Sequence, residues 1–276
     1  MRILAQAKVN VALEVVGQME NGYHELDMIM APVSIFDTID IEKSEKDSIV
    51  CLEYEIPKEN TVSRIIEKCR KEFDLKSHYA VMIHKDIPTQ SGMAGGSADA
   101  AAVLKAILEM EKIDCPLNRQ IEIGKEIGAD VPFCIVNQWA RVKGIGEKIT
   151  PIQSNMKIHA LIVKPEQGVS TPQAFKLWHE NQPGPVDVDL VQCAIEKEDM
   201  VLLVQSMNNS LEPAAKSILP ALNEIKEDME DLGIIRVMMS GSGSSMMGFS
   251  VDDEVLENAK KELEKKYAFV RLVTIG

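Results

Sequence analysis

The chain contains no Gly-x-x-x-x-Gly-Lys-Ser/Thr run, so it carries no P-loop. Gly241-Ser242-Gly243 and Gly144-Ile145-Gly146 each lack the third glycine of a dinucleotide-binding turn and stand outside the strand–helix–strand setting that turn needs. The five cysteines, at 51, 69, 115, 134 and 193, form no Cys-x-x-Cys pair and have no closely spaced histidine, which argues against a zinc site and for reduced thiols. No apolar stretch approaches the roughly 18 residues of a membrane span, and Met1-Arg2-Ile3-Leu4 opens directly on strand-like residues, so the expectation is a soluble, cytoplasmic protein. Basic charge is also in deficit: 43 acidic residues against 30 basic ones give a net charge of −13 with no segregated basic patch. That balance excludes nucleic acid and anionic membrane surfaces as partners. Internal repeats and low-complexity tracts are missing too. What is left is an ordinary globular chain of 276 residues, 45% hydrophobic and long enough for two domains.

The most informative stretch runs from Ile87 to Ala102. Upstream, Val81, Ile83 and Ile87 alternate as in a half-buried strand, which Pro88 stops. Downstream, Ala100, Val103, Leu104, Ile107 and Leu108 repeat at helical spacing while Lys105, Glu109 and Lys112 point elsewhere, predicting an amphipathic helix from Ser97. Gly92, Ala94, Gly95 and Gly96 lie between. Side chains that small let backbone N–H groups approach a ligand, and they lead into the unpaired donors of a helix start, an arrangement suited to phosphate.

Other positions stay open on spacing alone. Lys8 and Asn10, two apart in the strand-like run Ile3 to Val16, share one side of a strand; the lysine is either a solvated edge residue or the partner of a buried anion. Tyr23-His24 follows the turn pair Asn21-Gly22, a place for packing or for recognition. Asn60 reads as the N-cap of a helix from Thr61 to Phe73. Asn118 reads as the cap of a second helix ending at Ile127, and Val131 to Val136 as an apolar strand, with Asp130 between them as either a cap or a base. Pro172 opens a helix with Thr171 as its cap, where Phe175 fits a core role. Asp189 to Met207 and Glu212 to Leu232 read as single helices, the latter the longest, and Ser240 to Ser244 as a plain hairpin connection. The second half follows an α+β order compatible with a ferredoxin-like unit.

Pro88 through Ala98 resembles the second signature of the GHMP kinases, Pro-x-x-x-Gly-Leu-x-Gly/Ser-Ser-Ser/Ala-Ala. Ala7 to Leu13, Asn21 to Leu26, Gly128 to Phe133, Gly144 to Glu147, Ser170 to Pro172 with Phe175, and Met239 to Gly243 extend the resemblance over nearly the whole chain, in the order of a member acting on a cytidine diphosphate. It implies an α+β, two-domain GHMP kinase fold. The N-terminal half, 1–152, would resemble ribosomal protein S5 domain 2 and bind ATP. The C-terminal half, 153–276, would be ferredoxin-like, with Pro151 to Asn155 as the hinge.

It also implies roles. Pro88, Thr89, Gln90, Ser91, Gly92, Met93, Ala94, Gly95, Gly96, Ser97 and Ala98 would hold ATP with Mg²⁺. Asp130 would be the general base, with Lys8 beside it. Asn10, Tyr23, His24, Thr171, Phe175, Gly241 and Ser242 would hold a small-molecule cytidine-diphosphate substrate, Tyr23 and Phe175 sandwiching the base and His24 hydrogen-bonding it. Opposite charges ~4 Å apart attract by roughly 4 kcal/mol at an effective dielectric of about 20, enough for Lys8 to keep Asp130 ionised. Because the chain as a whole repels ATP, the positive potential must be local. A monomer or weak homodimer is expected.

Two departures stand out. Asn137-Gln138-Trp139 replaces the family's Gly-Gly-Thr, which implies a reshaped surface loop, or altered substrate access or weakened activity; the alternatives are another small-molecule GHMP kinase and a non-catalytic nucleotide-binding relative. Ala94 replaces a loop glycine, a single added methyl that the loop should tolerate.

Overall fold

The computed structural model describes residues 1–181 and 184–276. In chain order the elements are β1 (Arg2–Gln18), β2 (His24–Ser44), β3 (Ser48–Cys51), α1 (Thr61–Glu72), β4 (His78–His84), α2 (Gly95–Glu111), α3 (Leu117–Lys125), α4 (Val131–Val136), β5 (Ala140–Gly144), β6 (Lys148–Pro151) and β7 (Ile158–Lys164). They continue as α5 (Thr171–Asn181), α6 (Val188–Glu196), α7 (Met200–Ser206), β8 (Asn208–Asn209), α8 (Glu212–Ile218), α9 (Ala221–Asp231), β9 (Arg236–Met239), β10 (Met246–Phe249), α10 (Asp253–Leu263) and β11 (Phe269–Ile275). Two compact units result, the first of Met1–Ala7, Ile35–Pro88 and Ala94–Asn137, the second of Lys8–Ser34, Thr89–Met93 and Gln138–Gly276. Segments of the two alternate along the chain, β1 and β2 contributing residues to both.

In the first unit β4 lies between β2 and β3, antiparallel to β2 over Thr38–Ser44 and parallel to β3. Helices α1 and α4 pack on α2. Every residue of α2 from Ala98 to Leu108 is buried except Lys105, so this helix is far less one-sided than an amphipathic stripe. Its alanines are the reason, because a methyl side chain lets neighbours close in from all sides. The Asn60 cap is as expected: its side chain accepts from the N–H groups of Val62 and Ser63, and the Ser63 hydroxyl accepts from its backbone in return.

In the second unit β7 is central, antiparallel to both β10 and β11, and β9 flanks β10. Helices α9 and α10 cover these strands. The first part of β2 pairs with β5, which pairs with β6, and β8 adds to β1.

Four expectations are corrected. Val131 to Val136 is a helix, not a strand: Pro132 suits a first helical turn, and six apolar residues cannot distinguish the two. The segment 212–232 is two helices parted at Leu219-Pro220, since a residue preceding proline is driven out of the helical region. That leaves the 17-residue α2 as the longest helix among the described residues. The segment 189–207 also breaks, at Glu198 with φ 55°, after which Asp199 caps α7. Helix α3 starts on Pro116 with no side-chain cap, so Asn118 lies inside it.

Candidate active site

Thr89 to Met93 belongs to the second unit, where the strand connection after β9 holds it. The Ser244 N–H donates to the Gln90 carbonyl at 3.1 Å and the Ser245 N–H to the Ser91 carbonyl at 3.2 Å. The Ser240 hydroxyl donates to the Gly92 carbonyl at 3.3 Å and accepts from the Asn10 N–H at 3.2 Å. Gly92 stands at φ 74°, and a Cβ there would lie 2.1 Å from the Ser240 carbonyl oxygen. Only glycine meets both demands. The Asn209 amide, donating to the carbonyls of Met239 and Gly241 at 2.8 Å each, fixes the connection in turn.

Lys8 and Asn10 share a face of β1, as period two requires. Lys8 is 4% exposed, and its ammonium donates to Asn10 Oδ1 at 2.7 Å. Its backbone N–H donates to the Met93 carbonyl at 3.2 Å, tying β1 to the loop. The edge reading of this lysine is thereby excluded. Thr171 is itself the first residue of α5 rather than its cap, and its hydroxyl is shared with Ser242 at 2.7 Å.

The first unit supplies the remainder of the loop. Ala94 takes the left-handed conformation at φ 58°, and α2 begins at Gly95 with no side-chain cap. An alanine in that conformation costs roughly 1–2 kcal/mol. A Cβ on Gly95 would lie 3.1 Å from both Ile87 Cγ2 and Lys85 Nζ, and one on Gly96 would lie 3.3 Å from Thr61 Oγ1. The Thr61 hydroxyl donates to the Gly96 carbonyl at 2.6 Å. In this first turn the N–H groups of Gly95 and Gly96 receive no side-chain cap, while that of Ser97 donates back to the Ala94 carbonyl at 3.0 Å. Asp130 occupies the N-cap position of α4 at φ −86°, yet its side chain makes no capping hydrogen bond. Its carboxylate is half-buried and uncommitted to the cap. Gly128, two residues before it, lies against Ser97: a Cβ there would be 3.9 Å from the hydroxyl.

A cluster of rings forms at the start of β2 in the second unit. The His24 imidazole stacks on Phe175 at 4.8 Å and 23°, and meets the Trp178 ring edge-on at 6.1 Å. His24 Nε2 is 3.2 Å from His179 Nε2. Partial burial and the neighbouring His179 hold the His24 pKa below its ordinary value. Tyr23 is 61% exposed, and its N–H donates to Asn21 Oδ1 at 3.1 Å. Sequence reasoning missed Trp178 and His179, although their i+3 and i+4 spacing from Phe175 was the signal. It also missed Ser244, Ser245 and Asn209, which hold the loop.

Trp139 is no surface-loop residue. It is 2% exposed, donates its indole N–H to the Met156 carbonyl at 3.0 Å, and leaves no room for a Cβ on Gly276. Asn137 stands at φ 53° as the C-cap of α4 and donates to Gln6 Oε1 at 2.8 Å. Among the described residues no three His, Cys, Asp or Glu side chains gather as a metal cage. A magnesium ion carried on nucleotide phosphates needs only one or two protein oxygens and does not depend on such a cage.

The family model for the GHMP kinases N terminal domain matches residues 60–138, and that for GHMP kinases C terminal matches residues 193–268. Curated relatives named 4-diphosphocytidyl-2-C-methyl-D-erythritol kinase include one from Clostridium perfringens, 37% identical over 98% of this chain and 95% of its own. Another, from Caldicellulosiruptor bescii, is 34% identical over 100% and 97%. A crystal structure of 4-(cytidine 5'-diphospho)-2C-methyl-D-erythritol kinase superposes with a TM-score of 0.85 at 28% identity, covering 100% of this chain and 99% of the other. A homoserine kinase from Cytophaga hutchinsonii, at 19% identity and a TM-score of 0.74, shares the fold. Likeness of this extent places the chain by descent: it belongs to the GHMP kinase family, alongside the curated 4-diphosphocytidyl-2-C-methyl-D-erythritol kinases.

Proposed function

We propose that this chain transfers the γ-phosphoryl group of ATP to the 2-hydroxyl of 4-diphosphocytidyl-2-C-methyl-D-erythritol, a step of the non-mevalonate route to isoprenoids. The observation that carries this reading is the ring cluster in which His24 stacks on Phe175. An aromatic face beside a hydrogen-bonding imidazole suits cytosine and has no use for homoserine or mevalonate. The curated relatives are named for that substrate.

In this reading residues 1–152 bring the whole nucleotide loop, and 153–276 bring Thr171, Phe175, Gly241 and Ser242. The segment Pro88 to Ala98 cradles the triphosphate with backbone N–H groups at the start of α2. Asp130 accepts the proton of the acceptor hydroxyl as that oxygen bonds to the γ-phosphorus and the bond to the β-γ bridging oxygen breaks, releasing ADP. Such a base typically contributes about 10²–10⁴-fold. Lys8, aimed by Asn10, stabilises charge on the transferred group. Bound Mg²⁺ supplies neutralisation of the phosphate oxygens. Tyr23 and Phe175 stack on the base and His24 hydrogen-bonds it. Trp139, packed as a core residue, gives no reason to prefer a non-catalytic relative.

The test is ATP turnover against a panel of the cytidylated acceptor, homoserine and mevalonate. Turnover of the cytidylated acceptor alone is expected. Asp130→Asn should lower kcat by about 10²–10⁴-fold with both substrates still bound. Preference for another acceptor, or full activity in the variant, overturns the reading.

A further inference from the structure

Three ionisable side chains meet inside the first unit, none of them part of the assignment above. Asp37, on β2, is fully buried, and its Oδ1 accepts the N–H groups of Asp86 and Ile87 at 2.8 Å each. Its Oδ2 accepts from the Lys85 ammonium. Lys85 also donates to Asp99 Oδ2 at 2.9 Å. Asp99 opens the second turn of α2 and is 4% exposed, and its Oδ1 has no hydrogen-bond partner. Asp37 is thus fully used as a carboxylate, whereas Asp99 buries one oxygen with nothing to receive.

One ammonium between two carboxylates leaves a surplus negative charge when both are ionised. The other titratable groups facing the cluster do not cancel it. Burial pushes the Tyr54 phenol up, so it stays neutral, and Cys51 lies beside it. At the end of β4, Glu53 accepts from the Lys85 backbone and has His84 nearby. Burial works against the Lys85 ammonium, but Asp99 and Asp37 outweigh it and hold its pKa up. Burial pushes the Asp99 carboxyl up to about 7, with Lys85 opposing and Asp37 reinforcing the rise.

The cluster touches the first residue of α2, since a Cβ on Gly95 would lie 3.1 Å from Lys85 Nζ. We propose that Asp99 is a positioning residue for the nucleotide, acting through Lys85 and Gly95, and that its proton is linked to nucleotide binding. With the proton in place the cluster is neutral, and the helix start presents its full positive potential. Without it, a buried negative charge sits behind the N–H groups that meet the phosphates. The inference rests on the reading that phosphates bind at the start of α2.

The sign follows from linkage: a polyanion raises the pKa of a neighbouring carboxyl, so binding takes up a proton at any pH where Asp99 is partly ionised. The test titrates the full chain with a non-hydrolysable ATP analogue and Mg²⁺ at pH 7.5, by calorimetry in two buffers of different ionisation enthalpy. The parent protein should take up a fraction of a proton per nucleotide, and its affinity should fall about three- to tenfold between about pH 6.5 and 8.5. Asp99→Asn, isosteric and uncharged, should show neither effect beyond what the ligand contributes. Equal proton uptake in both proteins overturns the proposal. A carbon-13 carboxyl titration of Asp99 in the parent protein serves independently: titration near neutrality that moves up with nucleotide supports the proposal, and an ionised carboxylate at pH 6 with and without nucleotide overturns it. Amide shifts of Gly95 and Gly96 separate the two layers. If they move without proton uptake, only the linkage fails; if they do not move on binding, the phosphate reading fails with it.

Discussion

Within the second unit, the turn Gln90–Met93 and the rings around His24 differ in what holds them. The turn is fixed by backbone groups and serine hydroxyls, with Ser91, Met93, Ser240, Ser244 and Ser245 all buried. The rings meet face to face or edge to face near solvent, and the hydrogen bond between His24 and His179 is exposed. In the first region the available space is set by main-chain atoms that have nowhere to go. In the second it is set by side chains that can be trimmed one at a time. A reaction that positions one invariant group, a triphosphate, and distinguishes one variable group, a base, is served by that division. Backbone is the right material where no choice is wanted, and side chains where it is.

The comparison predicts a steep order of sensitivity. Gly92→Ala should have the largest effect, because the new methyl would fall 2.1 Å from the Ser240 carbonyl in a backbone at φ 74°. Strain and displacement together should cost about 3 kcal/mol of stability. Nucleotide affinity should drop by at least about tenfold, since the displaced turn precedes the helix start. Thermal melting and nucleotide titration check both. A stable Gly92→Ala protein with unchanged affinity would mean that the turn is as forgiving as the rings. Phe175→Ala should do less. Removing the stacking partner of His24 should raise KM for the cytidylated acceptor about tenfold, from a stacking contribution of about 0.5–1.5 kcal/mol plus lost area. The KM for ATP should not move; if it does, the two regions are not separable in the way their contacts indicate.

The same contrast decides what is legible in the sequence. Gly92, Gly95 and Gly96 stand out because glycines gathered between a strand and a helix suit little besides a close approach of backbone, and Lys8 with Asn10 because a two-residue period fixes their shared face. Asn60 stands out because a cap acts over three residues. Ser240, Ser244 and Ser245 carry the turn but look like any serines of a flexible connection; their partners in the turn lie about 150 residues away. Asp99 reads as one polar residue in an alanine-rich helix until Asp37 and Lys85 are found against it. Trp139 looks like a loop residue because its partner, the Met156 carbonyl, sits beyond an intervening strand pair. The α4 segment misleads for a different reason: a short apolar run is consistent with a strand or a buried turn of helix, and only the packing chooses.

The smallest predicted effect tests the ring region against itself. At 3.2 Å, His24 and His179 share a single hydrogen, one ring donating and the other accepting, so the contact requires at least one neutral imidazole. Partial burial and then His179 hold the His24 pKa down, which keeps this ring neutral and able to accept. His179→Ala removes the second cause, so the His24 pKa should move back toward its ordinary value. The acid limb of kcat/KM for the cytidylated acceptor should then shift to higher pH, with a loss of about two- to fivefold below neutrality and little change in alkali, the size expected of one exposed hydrogen bond. Stability moves the opposite way. A histidine whose pKa is lower folded than unfolded binds more protons when unfolded, so the protein loses stability as pH falls below the ordinary histidine range. That acid loss should be smaller in His179→Ala than in the parent. An acid limb that stays in place while KM rises at every pH would make His179 a simple packing neighbour, and the ring region would then be as insensitive to protons as the glycine turn.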